Sequence, residues 1–255
     1  MDFVSRKTGT HYSALLESIS AKNVRMKDWL SLDSTRERYF VLRHDVDGDF
    51  ATAMKMARFE YDCGIHATYF LHAHRSYFDW TPDSSGFLDA LHKMQDLGHD
   101  IGWHNDALAR HLEKPQTVPV LMGIRRPLRF LRENDIEVKG CSCHGSKICK
   151  DNRLSNNDIW IENPFVSIAQ RGTQDFTHYS LLQFGLDYEA YFLKRTAYLS
   201  DNHGGWSGGV GDEIEPFEVP GKVDNTVRDD IIERFNAQPW GMLQILMHPQ
   251  HWRAV

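Results

Sequence analysis

The sequence predicts an α/β fold on a largely parallel sheet, better suited to a barrel or incomplete barrel than to an open sheet. Three observations carry this. The 255 residues fit one domain, since α/β barrels of about 250 residues fold around a single core. β-rich runs alternate with stretches of helical periodicity along most of the chain. Several β-rich runs also end in Asp or His where strand gives way to loop, the rim on which barrels gather reactive groups.

Taken in order, residues 12–30 carry Leu15, Leu16, Ile19, Val24, Met26 and Trp29 at near-helical spacing. This predicts an N-terminal helical extension over residues 1–38, ahead of a barrel domain over 39–255. YFVLRHDVDGD, from Tyr39, is the first strand; Gly48 breaks it and Asp49 caps a helix that stops at Gly64. HATYFLH (66–72) is the second strand, residues 86–97 a helix ending at Gly98, and HDIGWH (99–104) the third strand. Residues 118–134 read as a helix interrupted by Pro119 and Pro127. VKGCSCH (138–144), PFVSIA (164–169) and RTAYLSD (195–201) read as strands, residues 224–237 as a helix, and LQILMHP (243–249) as the last strand.

Composition sets limits. A chain 41% hydrophobic, 25% charged and 12% aromatic is neither disordered nor collagen-like. A net charge of −6 leaves no basic surplus to release counterions from nucleic acid. No apolar run approaches the ~20 residues of a membrane span, and MDFVSRKTGT is not a signal peptide, so cytoplasmic residence is expected. Cys63, Cys141, Cys143 and Cys149 lack C-x2-C spacing and are expected as reduced thiols, a Cys metal site being the alternative. The 14 His and 7 Trp favour a metal or sugar site.

The chemistry gathers at strand ends. In RHDVDG, alternation puts Arg43, Asp45 and Asp47 on one face and His44 and Val46 on the other. Two carboxylates one pleat apart lie ~6–7 Å apart, and like charges that close need a cation or metal between them. The alternative is a capping Asp beside one paired with Arg43. His104, His144 and His248 each close a later strand, so a barrel would bring them to one mouth with Asp45 and Asp47. Imidazoles with carboxylates are the ligand set of catalytic Zn2+ and comparable divalent ions, with Zn2+ the first expectation. His72 is a candidate for the same rim and His111 a weaker one. In the Gly-rich loop SDNHGGWSGGVGD (200–212), Asp201 offers a polar contact and Trp206 a platform for a sugar ring; a plain surface loop with one packing Trp is the alternative.

At these residues the chain resembles the polysaccharide deacetylases with a NodB-like domain (carbohydrate esterase family 4), in a divergent form whose first motif reads HDVD. RHDVDG, GIHATYF, GHDIGWHND, CHGS, YLSDNHGGW and LMHPQHW occur in family order between Tyr39 and Trp252. The resemblance implies a distorted (β/α)7 barrel, TIM-like, that binds a divalent metal and removes acetyl groups from N-acetylated sugars, with a small molecule or oligosaccharide as substrate. Carried over by motif, Asp45 is the base, Asp47 the metal carboxylate, His104 the first His of the H-x3-H pair and His248 the acid; Arg43 holds Asp45 ionised. Two features depart from the family pattern. The second His position is Leu108, and CHGS stands where R-x-P-Y is expected, which makes His144 the candidate to complete the metal set. The rival readings are a catalytically silent glycan-binding barrel and an amidohydrolase acting on a small non-sugar amide.

Overall fold

A computed structural model describes residues 1–33, 35–81, 85–214 and 221–255. The strands among them are β1 (Phe3–Ser5), β2 (Lys22–Asn23), β3 (Arg38–Val46), β4 (Ala67–Leu71), β5 (Asp100–Asn105), β6 (Val138–Cys143), β7 (Tyr188–Glu189), β8 (Ala197–Ser200), β9 (Ser207–Val210), β10 (Gly241–Met247) and β11 (Trp252–Ala254). The helices are α1 (Tyr12–Glu17), α2 (Phe50–Asp62), α3 (Ser85–Asp96), α4 (Ala107–Glu113), α5 (Val120–Glu133), α6 (Lys147–Asp151), α7 (Ile168–Arg171) and α8 (Thr226–Asn236).

Seven strands pair in parallel in the order β7-β6-β5-β4-β3-β10-β8; the short β2 also pairs in parallel with the start of β3, and β9 adds antiparallel to β8. Read around, this is chain order with one break: β10, the last of the seven, lies between β3, the first, and β8. A sheet curled back on itself gives that order. The seam falls between β7 and β8, where Arg195 donates to the Tyr191 carbonyl at 3.2 Å and to Gln244 Oε1 at 3.1 Å, and Gln244 donates to the Ala190 carbonyl at 3.3 Å. The fold is a distorted (β/α)7 barrel with an open seam.

Period-two alternation sorts the side chains. Phe40, Leu42 and Val46 of β3 pack into the outer core under the helices, while Val41 turns inward to a cluster with Phe70, Tyr188 and Met242. Arg43 and Asp45 share the inward face and are fully buried. Gly102 makes room for this interior: a Cβ there would lie 2.3 Å from the Phe70 ring.

The structure redraws several expected elements. The helix expected over 12–30 survives as α1 and a short 3-10 turn at Trp29–Ser31; the Ser18 hydroxyl turns back to the Leu15 carbonyl at 2.6 Å and closes α1. The remaining apolar positions serve another purpose: Met26 and Trp29 join the inner barrel cluster. PFVSIA is not a strand. Ser167 caps α7, its hydroxyl accepting from the Gln170 amide while its own amide donates to Gln170 Oε1, and Ile168 is 85% exposed. The Gly-rich loop instead contains β9, where Gly208 has φ +141° and a Cβ would meet the Tyr198 carbonyl oxygen at 2.0 Å. Among the described residues no helix is long and apolar enough to cross a membrane.

A buried polar network ties the N-terminal segment to the barrel. Glu60 of α2, fully buried, accepts from the hydroxyls of Tyr12 and Tyr69 and pairs with His44 Nε2 at 2.7 Å. Burial pushes the Glu60 carboxyl up, but the His44 charge and hydrogen bond outweigh it and hold the group below its usual value. Glu60→Ala is expected to cost about 3–5 kcal/mol, because it strands buried partners. Urea unfolding would measure the loss; a cost under about 1 kcal/mol would mean that the network is not what binds these elements.

Candidate active site

The residues that end the barrel strands meet at one rim. Asp45 closes β3 in a buried two-pronged pair with Arg43, Nε to Oδ1 at 2.9 Å and Nη2 to Oδ2 at 2.6 Å. The guanidinium lies 4.2 Å from the Tyr191 ring centroid. Burial raises the Asp45 carboxyl, the Arg43 charge lowers it, and the net position is below the usual range. Asp47, two residues on, brings Oδ1 to 3.3 Å from His104 Nε2 and 3.8 Å from His144 Nε2.

His104 is buried at the end of β5. Its Nδ1 is 2.9 Å from the Ser142 carbonyl, which only accepts, so the proton sits on Nδ1 and Nε2 faces the carboxylates, 3.5 Å from Asp45 Oδ2. Burial pushes this imidazole down, and Asp45 and Asp47 more than reverse it. His144, following β6, is pushed down to about 4 by burial and by His104, and its Nε2 accepts from Arg75 at 3.3 Å.

These three residues fit a divalent ion. One donor atom each from Asp47, His104 and His144 lies within 4.8 Å of the others, and Asp47 Oδ1 is buried without a hydrogen-bond partner. The His104 tautomer, fixed from behind by a carbonyl, leaves the correct nitrogen free for a metal. A second grouping of His72, His74 and Asp106 fits less well. The His74 amide donates to His72 Nδ1 at 3.3 Å, and burial pushes that ring down to about 3. Its single proton therefore sits on Nε2, the atom facing Asp106 at 3.8 Å.

Across the rim stands His248, just past β10. Asp201, just past the neighbouring β8, accepts from His248 Nδ1 at 2.6 Å, from the His248 amide and from Trp252 Nε1 at 2.9 Å. Burial lowers the His248 imidazole, but Asp201, with help from Asp47 and Asp45, raises it to about 9. Asp201, read from sequence as a substrate contact, has both oxygens committed to orienting His248. The signal for this role is only the adjacency of β8 and β10, which the sequence does not print.

Trp206 is a correction of a different kind. It is 1% exposed, its Nε1 points to Thr10 Oγ1 and Asn225 Oδ1 at 3.3 Å each, and its ring packs 6.2 Å from Trp252. A buried indole offers no platform to a sugar. Leu108 is likewise fully buried in α4, and His111 bonds the Val118 carbonyl at 3.0 Å. Cys141, Cys143 and Cys149 are buried thiols outside any disulfide, and Cys63 is exposed.

Neither a protein-family model nor a curated protein matches the sequence. Solved structures with partial likeness include a CE4 esterase of Streptococcus mutans, 12% identical, with a TM-score of 0.46 over 89% of this chain and 80% of that one. The peptidoglycan deacetylase PdaC from Bacillus subtilis is 13% identical, with a TM-score of 0.38 over 84% of this chain and 90% of that one. Its D285S mutant is 13% identical, with a TM-score of 0.36 over 86% and 92%.

Proposed function

We propose that the chain is a metal-assisted hydrolase that removes the acetyl group from an N-acetylated sugar or glycoconjugate precursor. One observation carries this reading: two buried ion pairs, Arg43–Asp45 and Asp201–His248, lie at the same rim as Asp47, His104 and His144, whose donor atoms could share a metal ion. The ordered motifs that resemble NodB-like deacetylases support it.

Asp47, His104 and His144 would hold the divalent ion, Zn2+ by ligand type. When bound, such an ion polarises the acyl oxygen and acidifies water. Arg43 keeps Asp45 ionised, which makes it a ready but weak base, suited to an already acidified water. Asp45 takes the proton as the water attacks the acetyl carbon. His248, protonated and aimed by Asp201, then gives a proton to the departing nitrogen, without which the amine is a poor leaving group.

Acetate release from N-acetylated sugars, assayed with Zn2+, after chelation and after metal is restored, tests the reading. Activity is expected to vanish with chelation and return with metal. His104→Ala/His144→Ala is expected to lose stoichiometric metal, measured by elemental analysis of the folded protein. Undiminished metal in that variant would remove these residues from the ligand set. Acetate release that ignores chelation would overturn the metal-assisted reaction.

A further inference from the structure

A cavity of about 410 Å³ opens beside His144, within the ~300–1,000 Å³ range of small-ligand pockets. Tyr191, in its wall, touches the Arg43 guanidinium that grips Asp45. The cavity therefore begins one side chain away from the candidate base.

Its walls are of two kinds. Phe165, Val166 and Leu154 make an apolar side, and Lys150 and Arg153 bring two positive charges. Neither cation has a carboxylate partner among the described residues. Asp151, adjacent to Lys150, is taken by Lys147 at 2.7 Å. The one acid in the wall, Asp158, accepts from the Ser155 amide at 2.9 Å and from Asn163 Nδ2 at 3.1 Å. Arg153 also occupies a left-handed conformation, φ +58°, at the end of α6, where glycine is the easier residue.

We infer that this cavity receives an anionic substituent, a phosphate or carboxylate carried by the N-acetylated sugar, with Lys150 and Arg153 as its counter-charges. The inference rests on the deacetylase reading and adds the substrate class. Unpaired cations beside an apolar wall are the chemistry that separates a charged sugar from a neutral one.

The experiment compares kcat/KM for acetate release from N-acetylglucosamine, N-acetylglucosamine 6-phosphate and an N-acetylated aminouronic acid. The wild-type chain is expected to favour a charged sugar at least tenfold, mainly through KM, and the larger of the two ratios identifies the anion. Lys150→Ala/Arg153→Ala is expected to bring the charged-to-neutral ratio to about one. Lys150→Arg/Arg153→Lys, which conserves charge, should keep the preference and controls for misfolding. A wild-type ratio at or below one, or an alanine variant that keeps the ratio, overturns the inference. If no sugar releases acetate, calorimetric titration of the same three sugars decides separately. Charged sugars binding at least tenfold tighter to wild type than to the alanine variant uphold the subsite while the deacetylase reading fails. Equal binding sinks both.

Discussion

Asp45→Asn is expected to reduce turnover by about 10³-fold or more while metal content stays at the wild-type level. General-base catalysis contributes about 10²–10⁴-fold, and the amide that replaces the carboxylate cannot accept the proton. Asparagine retains one oxygen for the Arg43 guanidinium, so the side chain keeps part of its bonding but loses the charge that offsets a fully buried cation. Some loss of stability is therefore expected, and circular dichroism with thermal melting must show a folded population before rates are compared. Metal content separates the roles of the two aspartates. Asp45 lies 3.5 Å from His104 through its paired oxygen, whereas Asp47 presents a buried oxygen without a hydrogen-bond partner. Asp47→Asn should release metal and Asp45→Asn should not. Near-normal turnover in folded Asp45→Asn would remove Asp45 from the base role.

The strand ends were legible because two simple rules act on them together. Alternation puts Arg43, Asp45 and Asp47 on one face, and parallel strands in a barrel end at one rim, so His104, His144 and His248 can be assigned to the same mouth without knowing any register. What the sequence hides is pairing between distant segments. Asp201 and His248 are neighbours because β8 lies beside β10, and nothing in SDNHGG separates a carboxylate that orients a histidine from one that meets substrate. Trp206 illustrates the same difficulty. Its glycine-rich surroundings suggest an open loop, yet those glycines let β9 approach β8 closely enough to pair, and the indole is covered from the side of Thr10 and Asn225. Short strands escape for another reason. Two residues of β7 are too few to show a period, and PFVSIA has strand-like composition but carries a capping serine that turns it into a helix. The cations of the cavity wall were also invisible, since Lys150 lies in, and Arg153 just past, a five-residue helix that the periodicity does not announce.

Asp201→Asn is expected to move the alkaline limb of the pH–rate profile downward. In the native site His248 is raised to about 9, with burial opposing and Asp201 supporting the charged form. The sign follows directly. A raised imidazole stays protonated through neutrality, so an acid supplied by His248 holds its effect up to about pH 9 and loses it above. The same shift adds stability that is fully present below the unfolded value of ~6.5 and disappears as pH rises through about 9. Asparagine still meets the histidine amide and the Trp252 indole with its oxygen, but it removes the negative charge. Burial then dominates, the imidazole loses its proton at lower pH, and turnover at pH 8 should fall by about 10²-fold or more. The loss should be smaller at pH 6, where the imidazole regains its proton. That difference between the two pH values distinguishes a lost acid from a misplaced ring, which would depress the rate equally at both. His248→Gln should show a flat alkaline profile with no recovery at low pH. If Asp201→Asn keeps the wild-type limb near pH 9, the proton reaching the leaving nitrogen comes from another group, and His74 with Asp106, 2.9 Å apart near the same rim, is the next pair to test.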